Sequence, residues 1–561
     1  MELVKKPVVY GLMVLLFLVA PFYYQPNLGR TGFSLPFNIT VWAVAITMIF
    51  YSFLRITIEN KIILPSRIYL IFAFPILLIV SSLFSGYMDP NEWMSKQVFI
   101  FCGIFFLLSL FQFGLDESDI DNILFVISLS VIIHSGLGFL QNMDISFVRK
   151  ALEKPTGVFQ QINVQASYLS TGILVNFFLF SRENLAKRNV IYKMFLMLSV
   201  FISAYMLSNS GSRMGIISLV FGIGMLFTAY RKEYLINKNT VIASSILLLL
   251  AMFLGRSGLG TVVHKGHEMV QGNYADLRMV IYTVSINIIK AEPLWGHGLG
   301  SFISVWNQYA PEFYGSHPGV QRVPELTHPH NELIMWFIET GLLGVIGILL
   351  FCYKILESAI KCGWKNGVGY LALLLPISFH TQVEFPFYMS SLHWFLWLFL
   401  LYLLLRKAGD VRLISLNITS AKVFVSLLIV VYLPVMYFFY NCEMARRDLY
   451  SYIHKQFSKE SGFPLQTASS NIFFQKDAER LAMQSLMFVS LKNKDVYNVK
   501  FFLKWAEQYI QVIPDKKILE NMAKAYGFLG QNKERCDIVK RALVIYPENE
   551  ALLEQNEKCH R

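Results

Sequence analysis

Residues 423–440 read Val-Phe-Val-Ser-Leu-Leu-Ile-Val-Val-Tyr-Leu-Pro-Val-Met-Tyr-Phe-Phe-Tyr, with no charge among them. As a helix rising about 1.5 Å per residue, the stretch covers about 27 Å, close to the hydrocarbon thickness of a bilayer. Comparable apolar runs, bounded by polar residues or Pro/Gly breaks, centre near residues 15, 45, 75, 105, 130, 173, 198, 222, 248, 343, 372, 397 and 431. The fold class expected is all-α, a polytopic helical membrane protein of about thirteen spans. Composition agrees: of 561 residues 55% are hydrophobic and 15% charged, whereas a soluble domain has about 25% charged residues.

The formal charge of +12 invites a nucleic-acid reading, but basic residues also orient membrane proteins, so their placement decides. With the N-terminus inside, the inner loops hold Lys5 and Lys6; Arg55, Lys61 and Arg67; Arg182, Lys187, Arg188 and Lys193; and Arg231, Lys232 and Lys238. Lys354, Lys361 and Lys365, then Arg406, Lys407, Arg412 and Lys422, complete the set. Only the acidic loop Asp116 to Asp121 departs from this pattern. The opposite orientation inverts the bias and is rejected. The partner implied is the lipid bilayer, with no nucleic acid. Pro21 and aromatic residues follow the first apolar segment where a signal peptide would carry a small-residue cleavage site, so that segment reads as a retained helix. Six cysteines lie far apart without a Cys-x-x-Cys pair, and neither a metal nor a redox framework is expected.

Four segments follow: N-terminal spans over 1–256, a long outer loop with an interfacial helix over 257–332, C-terminal spans over 333–440, and a helical tail over 441–561. With thirteen spans the tail shares the outer side with the loop. Pro514 and Pro547 each end a helical stretch, 33 residues apart, near the period of about 34 of tetratricopeptide units. The run Ala523 to Gly530 and then Arg541 to Pro547 fits such a unit, although Arg535 stands where a small residue is expected. A helical hairpin module that covers the catalytic face or binds a partner is the expectation.

Polar residues beside spans are the candidates for chemistry, because an ionisable group at a membrane edge is costly unless it meets water, protein or a ligand. In Thr327-His-Pro-His-Asn-Glu332, Pro329 cannot lie in a helix interior, Asn331 is a good N-cap and Glu332 suits a first turn. His330 thus stands just before a helix N-terminus, whose positive end favours the uncharged ring a general base needs; His328 reads as its support. Ser208-Asn-Ser-Gly-Ser-Arg-Met-Gly215 is a small-residue turn in which Arg213 can grip phosphate oxygens with a planar fork; its plainer reading is an interfacial arginine reaching headgroups. Arg278, in Ala275-Asp-Leu-Arg-Met-Val-Ile-Tyr282, begins an amphipathic helix that runs toward the turn Trp295-Gly-His-Gly-Leu-Gly300, and the same two readings apply. Gln161 and Asn163 in 157–167, with Glu384 and Tyr388 in 380–388, suit sugar hydroxyls or a pyrophosphate. Helix capping competes for Asn163, and Glu384 could orient either an arginine or His330. Asp119-Ile-Asp121 has the form that holds a divalent cation in some glycosyltransferases, but it lies on the inner side among ordinary capping residues.

Together these residues resemble the O-antigen ligase and polymerase (Wzy) superfamily. The carriers of the resemblance are the Ser-Arg-x-Gly turn, the segment from Arg278 to Pro293-Leu-Trp-Gly-x-Gly-x-Gly, and His-Pro-His-Asn followed by Gly341-Leu-Leu-Gly344. The stretches 157–167 and 384–388 resemble the bacterial protein O-oligosaccharyltransferases of the PglL type. The resemblance implies an inner-membrane enzyme with a periplasmic active face, loop and tail. Its reaction would transfer a preassembled glycan from undecaprenyl pyrophosphate to a Ser or Thr hydroxyl of a periplasmic or pilin-like protein. Arg213 and Arg278 would neutralise charge growing on the leaving group without a metal or cofactor. His330 would take the acceptor proton, giving inversion by in-line displacement, while Gln161, Asn163 and Tyr388 position donor or acceptor. A ligase or polymerase would share this chemistry and differ only in the acceptor. A flippase is disfavoured, since its polar residues should follow a path through the spans instead of gathering at one face.

Overall fold

The computed structural model describes residues 6–29, 31–87, 89–143, 154–258, 277–317, 319–323, 326–417, 421–455 and 464–560. Residues 259–276, which open the expected outer loop and include Ala275 and Asp276, lie outside them. The helices in chain order begin with α1 (Lys6–Val14), α2 (Pro36–Glu59), α3 (Tyr69–Ser85), α4 (Pro90–Gln112) and α5 (Glu117–Asn142). Next come α6 (Ile162–Phe180), α7 (Val190–Ser210), α8 (Arg213–Ala229) and α9 (Lys238–Leu254). Then follow α10 (Leu277–Ala291), α11 (Phe302–Ser316), α12 (Glu332–Lys361), α13 (Gly363–His380), α14 (Ser391–Lys407) and α15 (Ala421–Ile453). The tail adds α16 (Gln475–Asn493), α17 (Val496–Val512), α18 (Lys516–Phe528), α19 (Asn532–Ile545) and α20 (Glu550–His560).

Each of the expected span centres falls within a helix; the one at residue 15 opens the short π-helical turn Leu15–Val19. Among the described residues seven helices are long and apolar enough to cross a membrane, and four more are apolar but shorter. The chain divides into two compact units. The first comprises 1–75, 98–270 and 347–443, the second 76–97, 271–346 and 444–561.

In the first unit, loops assigned to the inner side are tied together. Lys6 bridges Asp116 at 2.6 Å, and Glu117 receives Arg182 at 2.5 Å and Arg406 at 2.9 Å. Arg67 meets Glu357 at 3.0 Å, while Lys365 pairs with Glu233 and Lys361 with Asp410. A short antiparallel pair, β1 (Lys61–Pro65) and β2 (Val411–Ser415), joins two further inner loops, Ile63 opposite Leu413. The acidic loop that broke the basic pattern is the counter-charge of its neighbours. Asp119 accepts the backbone N–H of Asp116, the Tyr10 hydroxyl and Lys6, and Asp121 accepts Arg182 at 2.7 Å. With protein donors on both carboxylates, the divalent-cation reading of Asp119 and Asp121 loses its ligands.

The second unit is organised around a break in α12. Gly341 has φ 60°, ψ −154°, a conformation open to glycine alone. The break releases backbone groups that must find partners elsewhere. Ile338 O accepts from His297 N–H at 2.9 Å, Glu339 O from Gly298 N–H at 3.0 Å, and Leu342 N–H donates to Pro293 O at 3.0 Å. The two glycine signatures that looked separate in sequence are therefore one joint, backbone laid on backbone. A Cβ on Gly341 would come within 2.4 Å of the Leu294 backbone. Gly341→Ala is expected to cost several kcal/mol, roughly 3 or more, and to abolish the monodisperse peak of detergent-extracted protein on size exclusion.

The tail packs as successive helical hairpins, α16 with α17 and α18 with α19, over a core of Phe502, Leu503, Ile518, Met522 and Val539. Tyr546 donates to Pro514 O at 2.8 Å, closing the segment between the two prolines. Arg535 donates to Lys558 O on α20 at 2.9 Å. One cysteine pair escaped the sequence reading: Cys536 and Cys559 form a disulfide between α19 and α20. Closing this loop should contribute about 2–4 kcal/mol. Reduction, or Cys559→Ser, is expected to lower the melting midpoint of the tail, read by circular dichroism with and without dithiothreitol.

Candidate active site

In the first unit the Ser-Arg-x-Gly turn is a helix-to-helix joint. Gly211 ends α7 in the left-handed conformation at φ 67°, and Ser212 caps α8, its Oγ accepting from Gly215 N–H at 3.4 Å. Arg213 is then the first residue of α8, at the end where backbone N–H groups and the helix dipole favour an anion. Gly215 is small because α6 presses against it. A Cβ there would stand 2.9 Å from that of Ala166, and Ser170 Oγ donates to Gly215 O at 2.9 Å.

Capping falls on Gln161, not Asn163. Gln161 Oε1 accepts from Val164 N–H at 2.7 Å at the start of α6. Asn163 is left to bridge, accepting from Ser212 Oγ at 2.8 Å and donating to Glu384 Oε1 at 3.5 Å. The segments around 163, 212 and 384 thus converge through one amide. Glu384 is buried, and Tyr388 lies half-buried in the short helical turn that follows it. Beneath them Ser167 Oγ contacts His380 Nδ1 at 2.8 Å and His393 Nε2 at 3.2 Å. His380 opens the segment 380–388 singled out above, whereas His393 lies in an apolar run that gave no signal in the sequence.

In the second unit His330 has φ 55°, a left-handed conformation uncommon outside glycine and asparagine. Its neighbours hold it there. His330 N–H donates to His328 Nδ1 at 3.0 Å, and the Tyr282 hydroxyl, from the helix carrying Arg278, donates to His330 O at 3.4 Å. Asn331 Oδ1 accepts from Ile334 N–H at 3.0 Å, so it caps α12 as expected. A His328 ring that accepts at Nδ1 carries its proton on Nε2, which lies 3.9 Å from Glu332 Oε1. Arg278 is the second residue of α10, which buries Val280, Ile281, Val284 and Ile288 against α11.

Burial, then the charges of His330 and Lys96, hold the His328 pKa well below the ordinary 6.5. The sign follows: the folded ring stays neutral while the unfolded ring protonates below about 6.5, so the unfolded state binds the extra proton. Stability should be complete above that pH and decline as pH falls through it. The melting midpoint measured between about pH 5 and 8 checks this, and His328→Gln should flatten the decline.

Two ionisable residues of this unit were missed. Lys96 Nζ lies 2.6 Å from Glu339 Oε2, with the side chains 6% and 0% exposed. Glu332, Trp336 and Glu339 share one face of α12, at intervals of four and three, and that spacing was the available signal. Among the described residues, no three His, Cys, Asp or Glu side chains gather to hold a metal ion.

Residues 198–349, which include Arg213, Arg278, His328 and His330, match the family model described as O-antigen ligase. Residues 369–559, with Glu384, Tyr388 and the tail, match the one described as virulence factor membrane-bound polymerase, C-terminal. These matches support the O-antigen ligase and polymerase superfamily, and with it a membrane enzyme acting on a lipid-linked glycan. No curated protein matches the chain.

Proposed function

We propose that the protein transfers a preassembled glycan from undecaprenyl pyrophosphate to a Ser or Thr hydroxyl of a periplasmic or pilin-like protein, with inversion and without a metal. The observation that carries this reading is the bridge made by Asn163. It draws the two segments that resemble the protein-glycosylating branch, around 163 and 384, onto the cap of the Arg213 helix. Arg213 and Arg278 are assigned to the pyrophosphate, where guanidinium forks neutralise the leaving group as the anomeric bond breaks. His330 takes the acceptor proton as the hydroxyl oxygen attacks the anomeric carbon. Asn163, Gln161, Glu384 and Tyr388 are assigned to positioning, directly or through one another.

The Cys536–Cys559 disulfide supports a tail on the oxidising, periplasmic side of a bacterial inner membrane. The family matches equally favour a second reading, in which the same donor is joined to a lipopolysaccharide core or to another glycan. Mass spectrometry of periplasmic and pilin proteins, with and without the gene, separates the two. Loss of glycopeptides supports the protein acceptor. Unchanged glycopeptides together with shortened or unligated surface polysaccharide support the ligase or polymerase.

A further inference from the structure

We propose that Lys96 and Glu339 form a positioning pair that holds the glycine turn at 293–300, and with it the Arg278 helix, in register with the His330 end of α12. The proposal rests on His330 and Arg278 acting in transfer.

Glu339 stands where these elements cross. Its carboxylate accepts from Lys96 at 2.6 Å, and its backbone oxygen accepts from Gly298 N–H at 3.0 Å. Gly298 and Gly300 have φ 93° and 80°, and a Cβ on Gly300 would meet Asp89 at 3.2 Å, so the turn has little freedom to move. The turn directly continues α10, which starts beside Arg278. Upstream of Glu339, α12 leads back to the Asn331 cap and His330 without a break until Gly341. Lys96 is itself fixed by Glu92 at 2.8 Å and lies 5.7 Å from the centre of the Trp336 ring. A buried ion pair is a weak source of stability, because desolvating the two charges offsets their attraction, and apolar residues of similar volume often serve the fold as well. Ionisable groups kept inside an apolar helix pair therefore point to a geometric task.

The test uses full-length protein in detergent, with an undecaprenyl-pyrophosphate-linked disaccharide as donor probe and membranes from a strain lacking the gene as acceptor. Lys96→Met with Glu339→Met removes both charges and leaves neither alone. Glu339→Asp keeps the negative charge but draws the carboxylate back by one methylene from Lys96. In both, kcat per folded molecule is expected to fall about tenfold or more, with donor KM and melting midpoint little changed. Wild-type kcat in folded Glu339→Asp overturns the proposal, as does a loss of rate that only tracks a loss of folded protein. His330→Ala is run alongside. If it still transfers glycan, the reading of the base falls and the positioning proposal falls with it. If it is inactive while the paired variants turn over normally, only the positioning role is lost.

Discussion

His330→Ala is expected to abolish glycan transfer while leaving membrane insertion, yield and melting midpoint unchanged. Two of its bonds are made by the backbone, whose N–H donates to His328 and whose carbonyl accepts from Tyr282, and alanine keeps both. The side chain is assigned to the reaction, where taking the proton of a weakly acidic hydroxyl contributes about 10² to 10⁴ in rate. Its left-handed backbone, costly for most residues, fits a site where local strain is held by its surroundings. His330→Gly should fold at least as well, since glycine accepts that conformation freely, and should be equally inactive. Substantial transfer by either variant removes His330 from the mechanism.

The apolar helices were legible because a bilayer imposes length and apolarity together, and few soluble helices satisfy both. The one acidic exception among the basic loops has a structural reason: Asp116, Glu117, Asp119 and Asp121 neutralise Lys6, Arg182 and Arg406. The pairing of Lys61–Pro65 with Val411–Ser415 was not legible, since each strand is five residues long and its partner lies hundreds of residues away. The Cys536–Cys559 bond was missed for a related reason. Spacing alone carries no pairing unless a local motif fixes it.

At the site, residues whose role is set by local backbone chemistry were read well. Asn331 caps, and the glycine-and-serine turn around Arg213 joins two helices. Roles set by tertiary approach were not. Asn163 read as a possible cap, but Gln161 takes that role, and the positions of Ser212 and Glu384 make Asn163 a bridge. Glu339 shares a helix face with Glu332 and Trp336, but nothing near it names Lys96. The Gly341-Leu-Leu-Gly344 signature was recognised without its cause, a helix break whose released carbonyls accept from the turn at 297–298.

Lysine substitution separates catalysis from lipid anchoring at Arg213 and at Arg278. Lysine keeps the positive charge but loses the planar fork that donates to two phosphate oxygens at once. If each guanidinium stabilises negative charge that grows on the pyrophosphate as the glycosidic bond breaks, the loss appears in the transition state. Arg213→Lys and Arg278→Lys should then each lower kcat by about 10- to 100-fold, with smaller changes in donor KM. Anchoring to headgroups predicts otherwise, because lysine reaches the interface as well as arginine does. The local structure helps the lysine variants as tests: Arg213 opens α8 behind the Ser212 cap, and Arg278 stands in the first turn of α10. The cap of α8 is the Ser212 hydroxyl, so Arg213→Lys should leave that helix start intact. Rates from a lipid-linked donor decide it. Near-wild-type kcat in both variants would make the arginines interfacial anchors and return the pyrophosphate site to the remaining polar groups.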